Sequence, residues 1–396
     1  MKQEMTSRER MRCALTGGIP DRVPAAPDIS TMVPCKLSGH TFTDVLLRNK
    51  PPLWKAYLQA IRHFGMDGWF TYGELDFKMK KQYTETTREY RDGQGLLHVQ
   101  HCFDTPAGTL TRTYRYFDDD CCVPTEKLIK NFKEDFPKFK YLFPEITGYD
   151  DSLLRQQEKE LGEQGIMAVG IYPPGMHMFC DFFDGGLENV IYAYYDEPEL
   201  FQELNELYAA HVLRQAEMIL DAKPDSILTG GSGSITMQSP EIWEELALPT
   251  LRKIVSMASQ AGVISGVHSC GKERHLVRVM AETSELNYVN PLEISPGGDC
   301  DLAELKASHG SQIAFMGNLQ TTGVMLMGDV KKVRRESLRA IRDAGQNGGF
   351  VLSTGDQVPR DTPEENIFEM VNVVREFGQY PLNLDKIEEE LKRLEN

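Results

Sequence analysis

His268 and Cys270, two apart in His268-Ser269-Cys270-Gly271, are the residues whose types and spacing point most directly to chemistry. On an extended segment, residues i and i+2 project to the same side. An imidazole nitrogen and a thiolate placed that way can both reach one tetrahedral Zn2+. A buried core histidine beside a buried cysteine satisfies the same pattern, so partners are needed. Glu293, after Tyr288-Val289-Asn290-Pro291-Leu292, and Asp356, after Ser353-Thr354-Gly355, are carboxylates at other strand ends, with Asn318 at a third. Carboxylates serve as zinc ligands or as caps and ion-pair partners. Buried together without a cation, they would leave charge uncompensated. The expected metal set is His268, Cys270, Glu293 and Asp356, with His268, Cys270 and Asp356 as the catalytic group.

Two loops complete the inventory. Tyr172, His177 and Phe179, in Tyr172-Pro173-Pro174-Gly175-Met176-His177-Met178-Phe179, suit a flat apolar or aromatic substrate, though Met and Phe at this density also serve as packing. Gly230-Gly231-Ser232-Gly233-Ser234 lacks the lysine of a phosphate-binding loop and reads as a flexible turn beside which a substrate can approach. Neither a Gly-x-Ser-x-Gly elbow nor a Gly-x-Gly-x-x-Gly fingerprint is present, which argues against acyl-serine chemistry and dinucleotide binding.

The elements that position these residues alternate. Strand-like runs fall at Val23–Pro27, Met66–Tyr72, Ile166–Tyr172, Asp225–Gly230, Val263–His268, Leu286–Leu292, Gln312–Gly317 and Gly349–Ser353, separated by helical patterns such as 329–344 and 362 onward. Eight strands each followed by a helix give an α/β fold, a (β/α)8 TIM barrel, with a doubly wound sheet as the alternative. Residues 84–116 switch to period two around Asp92-Gly93 and Ala107-Gly108 and read as a β-hairpin insertion after the second strand. Residues 127–140, rich in Lys and Phe, read as a solvated surface helix. The whole, 1–396, is read as one domain closed by an amphipathic helix over 383–396, which packs on its own barrel or on a second subunit.

Composition narrows the partners. The 396 residues carry a formal charge of −16, which repels phosphate backbones and anionic lipid surfaces. No apolar run approaches the length of a membrane span, and the start, MKQEMTSRERMR, has no apolar signal core; the expected location is the cytoplasm. The eight cysteines have no framework spacing, so they read as thiols rather than disulfides, Cys300 among the structural ones. A homo-oligomer is neither required nor excluded.

Taken together, Thr6-Ser7-Arg8-Glu9-Arg10 through Pro20-Asp21-Arg22-Val23-Pro24, His268-Ser269-Cys270-Gly271, Gly317-Asn318, and Ser353-Thr354-Gly355-Asp356 through Asp361-Thr362-Pro363-Glu364-Glu365-Asn366 resemble the uroporphyrinogen decarboxylase superfamily. Within it, the chain is more similar to the corrinoid-dependent methyltransferase branch. The resemblance implies a (β/α)8 barrel. The decarboxylases carry an Arg-Gln-Ala-Gly-Arg stretch after the first strand, whereas this chain has Ala25-Ala26-Pro27-Asp28-Ile29-Ser30, with no basic residue to pair a substrate's carboxylates. The methyltransferases bind zinc through His-x-Cys and a later Cys. Here Asp356 stands in that Cys position, which leaves Asp356 as an oxygen ligand, Glu293 in its stead, or an altered site. A set with one thiolate suits an oxygen substrate. The implied reaction is zinc-assisted methyl transfer from a small methylated, methoxylated or aryl, substrate to the Co(I) of a corrinoid (cobalamin) on a partner protein, an O-demethylation. The alternatives are methylcorrinoid:thiol methyl transfer, metal-free decarboxylation with Asp356 or His177 as proton donor, and a non-enzymatic ligand-binding barrel.

Overall fold

The structure, a computed structural model, describes residues 4–395; residues 1–3 and 396 of the expected unit lie outside the described residues. Seven strands form one all-parallel sheet: Gly68–Gly73, Gly165–Gly170, Ser226–Gly230, Ile264–His268, Tyr288–Asn290, Ala314–Leu319 and Phe350–Thr354, in chain order across the sheet. Their side chains are almost all buried, as expected of parallel strands covered by crossover helices. The sheet curls, and the segment around Ala25 bonds to both of its edges. Ala26 N–H donates to Leu352 O, Leu352 N–H donates to Pro24 O, and Asp67 N–H donates to Ala25 O. The expected strand at Val23–Pro27 is thus a short bridge rather than a regular strand. Pro24 and Pro27 explain this, since proline cannot donate to a ladder.

Local chemistry sets the helices. Thr6 and Glu9 close a reciprocal capping box on helix Ser7–Leu15. Asp329 Oδ1 accepts from Lys332 N at 2.8 Å to start Val330–Ala344, whose Val333, Leu338 and Ile341 are buried. The last helix, Leu384–Glu395, buries Ile387, Leu391 and Leu394 against its own chain, about 1.5–3 kcal/mol each. Arg334 ties it down, donating to Glu390 at 2.7 Å while also bonding Glu369 and Glu376.

Two regions differ from the sequence expectation. The excursion after Gly68–Gly73 is larger than a hairpin over 84–116. Thr84–Arg91, Leu97–Thr105 and Gly108–Tyr116 are joined by Val123–Glu126 in a four-stranded antiparallel sheet, and Asp76–Lys80 pairs with Glu145–Asp150 in a second. The connection 117–122 has no glycine turn to announce the fourth strand. Helix Phe132–Phe139 is not a solvated face either: Phe132, Phe136 and Phe139 are buried against Phe183, Phe182 and Phe201. Among the described residues no helix is long and apolar enough to cross a membrane.

The N-terminal ends of the strands form a closed ionic floor. Asp67, 1% exposed, accepts from Arg10 Nη1 (2.6 Å), Arg22 Nη1 (2.8 Å), Ser7 Oγ (2.8 Å) and Ala25 N (3.0 Å). Asp21 takes the rest of the Arg10 guanidinium, and Asp225, just before its strand, takes Arg8 at 2.7 Å. Asp67 is thus met by two guanidinium groups and two further donors, the condition under which buried charge is tolerated.

Candidate active site at the carboxyl ends of the strands

Parallel register brings the chemistry together at the opposite end. His268 lies across from Gly230 on one side and Asn290 on the other. That register places imidazole beside amide: His268 Nδ1–H donates to Asn290 Oδ1 at 2.6 Å, which fixes the tautomer and leaves Nε2 free. Nε2 faces Asp356 Oδ1 at 3.9 Å. Asp356 sits at φ 142°, a backbone conformation costly for a residue with a Cβ, and its Oδ1 also accepts from Gln357 N. Gly230 belongs where it is because a Cβ there would lie 2.2 Å from the His268 carbonyl.

Cys270 and Glu293 complete the mouth. Burial pushes the Cys270 thiol up to about 12, with the Asp356 and Glu293 carboxylates adding to it against hydrogen bonds from Ser232 and Gly233. Burial also raises Glu293 above the usual carboxylate range, opposed by the Gly271 N–H that its Oε2 accepts.

A fifth member, Asp28, went unread in the sequence. It is 3% exposed and held above its ordinary range by burial, with Asp356 adding and Ser30 and His268 opposing. Its N–H donates to Thr354 Oγ1 at 2.9 Å and its carbonyl accepts from Val358 N, so the first and last segments of the curled sheet are stitched together at the site. The signal was present: Asp28 stands at the end of the first segment, as Asp356 does at the end of the last.

The expected substrate residues divide. Tyr172 is 47% exposed and joins Met237 and Ile294, 41% and 38% exposed, as apolar side chains on loops at this mouth. His177 is buried under the glycine loop, its Nε2 3.4 Å from Ser234 Oγ, and desolvation lowers it to about 4, so it is neutral at physiological pH. Phe179 is fully buried, edge-on to Phe201 and Tyr208 with centroids 5.3 and 5.8 Å apart. Phe179 packs beneath helix Pro198–Ala222, and His177 packs against the Gly230–Ser234 loop. The loop at Gly230–Ser234 is likewise not an open turn: Gly231 N–H donates to His268 O at 2.7 Å.

Residues 177–377 match the family model described as "Uroporphyrinogen decarboxylase (URO-D)", just over half of the chain. The chain belongs to the uroporphyrinogen decarboxylase family. It is 26% identical over 179 residues to uroporphyrinogen decarboxylase of Anaeromyxobacter dehalogenans, covering 45% of this chain and 47% of that one. It is 25% identical over 255 residues to methylcobamide:CoM methyltransferase MtbA of Methanosarcina mazei, covering 63% and 67%. The chain therefore spans about half the length of the decarboxylases it matches. A solved methyltransferase from Methanosarcina mazei shares the fold, with a TM-score of 0.64 at 16% identity over 94% of this chain and 99% of that one.

The zinc that the family resemblance implies is tested by the donors themselves. Their chemistry is suitable, one imidazole, one thiol and two carboxylates. Their arrangement is not: among the described residues, no three His, Cys, Asp or Glu side chains gather as a metal site requires. Glu293 is turned onto Gly271 N, Asp356 onto Gln357 N, and Cys270 onto Ser232 and Gly233. His268, Cys270, Glu293 and Asp356 share a mouth without forming a preformed metal cage.

Proposed function

We propose that this member of the uroporphyrinogen decarboxylase family is a corrinoid-dependent methyltransferase that demethylates a small methylated, methoxylated or aryl, substrate. One observation carries the reading over decarboxylation. Among the described residues, none of Asp28, Glu293 or Asp356 has a lysine or arginine partner. A substrate with several carboxylates would meet acids where it needs cations, whereas a neutral ether would not. The sequence likeness to MtbA, over nearly two thirds of the chain, supports the same choice.

The corrinoid, carried by a partner protein, supplies the Co(I) nucleophile that takes the methyl group. What this chain does is hold the ether and supply a proton. As the methyl carbon leaves, the oxygen gains charge, and that charge is met in a partly buried site. Asp28 and Glu293, both raised above the carboxylate range chiefly by burial, are suited to keep a proton for that oxygen. His268, its Nδ1–H held by Asn290, presents Nε2 to the same space. Atoms balance: ether plus proton gives alcohol or phenol, and the methyl cation passes to cobalt. Tyr172, Met237 and Ile294 give the mouth an apolar rim suited to a flat partner surface. No step is routed through zinc, because the donors do not converge.

The experiment mixes the purified protein with methoxybenzenes and reduced cobalamin and follows phenol release by chromatography. Release dependent on the protein supports the reading. Release of carbon dioxide from a carboxylated tetrapyrrole, without phenol from any ether, overturns it. Methyl transfer seen only with a thiol acceptor assigns the reverse direction.

A further inference from the structure

The mouth residues sit on loops, and loops need to be held. The loop after Tyr288–Asn290 turns sharply, with Leu292 at φ 63°, a left-handed conformation that leucine adopts at a cost. Its amides point to one group. Glu273 Oε2 accepts from Leu292 N at 2.6 Å and Glu293 N at 3.2 Å. Glu273 is wholly buried, and its second oxygen has no partner. It lies three residues after Cys270, on the neighbouring loop. Glu293 in turn sends its carboxylate back to Gly271 N on the Glu273 loop. The two loops therefore hold each other by crossed carboxylate-to-amide bonds.

A third loop locks the pair. Asp299 Oδ1 accepts from Glu273 N at 2.9 Å and Arg274 N at 3.1 Å, and Cys300 N donates to Glu293 O at 3.0 Å. Gly298 lies where the three backbones meet: a Cβ there would stand 2.2 Å from Glu293 O and 2.4 Å from Gly271 O. Of the mouth residues, these loops carry Cys270 and Glu293, both of which feel the Asp356 carboxylate.

We propose that Glu273 is a positioning residue that sets the placement of Cys270 and Glu293 at the mouth through its two bonds to the Leu292 and Glu293 amides. What it supplies is a hydrogen-bond acceptor, both groups it holds being backbone N–H donors. An amide oxygen in its place does the same work. The inference rests on the methyl-transfer reading only for what the clasp serves, since the placement itself is read without corrinoid or substrate.

The test is the rate at which iodoacetamide modifies Cys270, mapped by peptide mass spectrometry in wild type, Glu273→Gln and Glu273→Ala, with native fold checked by circular dichroism. Glu273→Gln keeps the acceptor and reacts at the wild-type rate. Glu273→Ala leaves the Leu292 and Glu293 amides without their acceptor and loosens the turn that carries Glu293, though Cys300 N and Asn318 Nδ2 still hold its carbonyls, so that Cys270 reacts about fivefold or more faster. If the alanine variant does not fold, Glu273→Asp, one methylene short of the two amides, is read in its place with the same expected rise. An unchanged rate in a folded Ala or Asp variant overturns the proposal, and so does an equal rise in Glu273→Gln. Failure of phenol release with the predicted alkylation pattern removes the methyl-transfer reading and leaves the clasp standing.

Discussion

The two ends of the curled sheet carry similar numbers of acids and treat them oppositely. At the floor, Asp67 and Asp21 are met by Arg10 and Arg22, and Asp225 by Arg8. At the mouth, Asp28, Glu293 and Asp356 have only His268, hydroxyl and amide donors, and two of them are raised above the ordinary carboxylate range. The floor spends its charges on holding the first helix and the first segment of the sheet in place. The mouth keeps its acids without a cationic partner, which costs stability and leaves Asp28 and Glu293 able to hold a proton. In folds of this kind the carboxyl ends of the strands carry chemistry and the amino ends carry stability. Here the difference is visible residue by residue.

The contrast can be broken most forcefully at the floor. Asp67→Ala takes from buried Arg22 its carboxylate partner and from Arg10 one of its two, and should cost about 3–5 kcal/mol in urea unfolding, with the activity of the remaining folded protein unchanged. A loss under 1 kcal/mol would show that the floor network is not what holds this end.

The second effect is pH-dependent. His177 has a folded value of about 4 against the usual 6.5. Below pH 6.5 the unfolded chain takes up a proton that the folded chain refuses until about pH 4. Stability is therefore flat above pH 6.5 on this account and falls between 6.5 and 4, by up to about 3 kcal/mol in total. His177→Gln removes that part of the slope. Identical acid slopes for the two proteins would show that His177 is not buried in its neutral form.

At the mouth, His268→Ala should lower kcat/KM for methyl transfer about 100-fold while leaving the thermal midpoint within a few degrees of wild type. A fall in stability with no fall in rate would make His268 a floor-type residue in the wrong place. The smallest effect sharpens the electrostatics. Glu293→Gln removes the weaker of the two carboxylates that raise the Cys270 thiol, and alkylation of Cys270 near pH 8 should accelerate about twofold. An unchanged rate would show that burial alone sets that thiol.

Much of this was legible in the sequence. The parallel strands announce themselves because both faces are buried, so Val263–His268 and Gly349–Ser353 are continuous small and apolar runs close to the observed Ile264–His268 and Phe350–Thr354. The capping box at Thr6 is local chemistry and needs no tertiary knowledge. What could not be read was which way side chains turn once loops cross. His177 and Phe179 look the same in sequence whether they line a pocket or pack inside; the helix Pro198–Ala222 decides it for Phe179 and the Gly230–Ser234 loop for His177. The donor set His268, Cys270, Glu293 and Asp356 was legible as a neighbourhood, but its non-convergence depends on Gly271 N and Gln357 N capturing two carboxylates. Asp28 carries no spacing signal of its own beyond its place at the end of the first segment; only the curl that brings that segment beside Thr354 and Val358 places it at the site.

The most direct test of the account is the cobalt spectrum. Cobalamin reduced to the Co(I) state is mixed with a methoxybenzene and either wild-type protein or the His268→Ala variant, and the methyl–Co(III) absorbance is followed. The account predicts formation of methylcobalamin with one phenol released per methyl group by the wild type, slowed about 100-fold in the variant. Equal rates in both proteins would place the chemistry outside this mouth, and no methylcobalamin with any donor would contradict methyl transfer from ethers altogether.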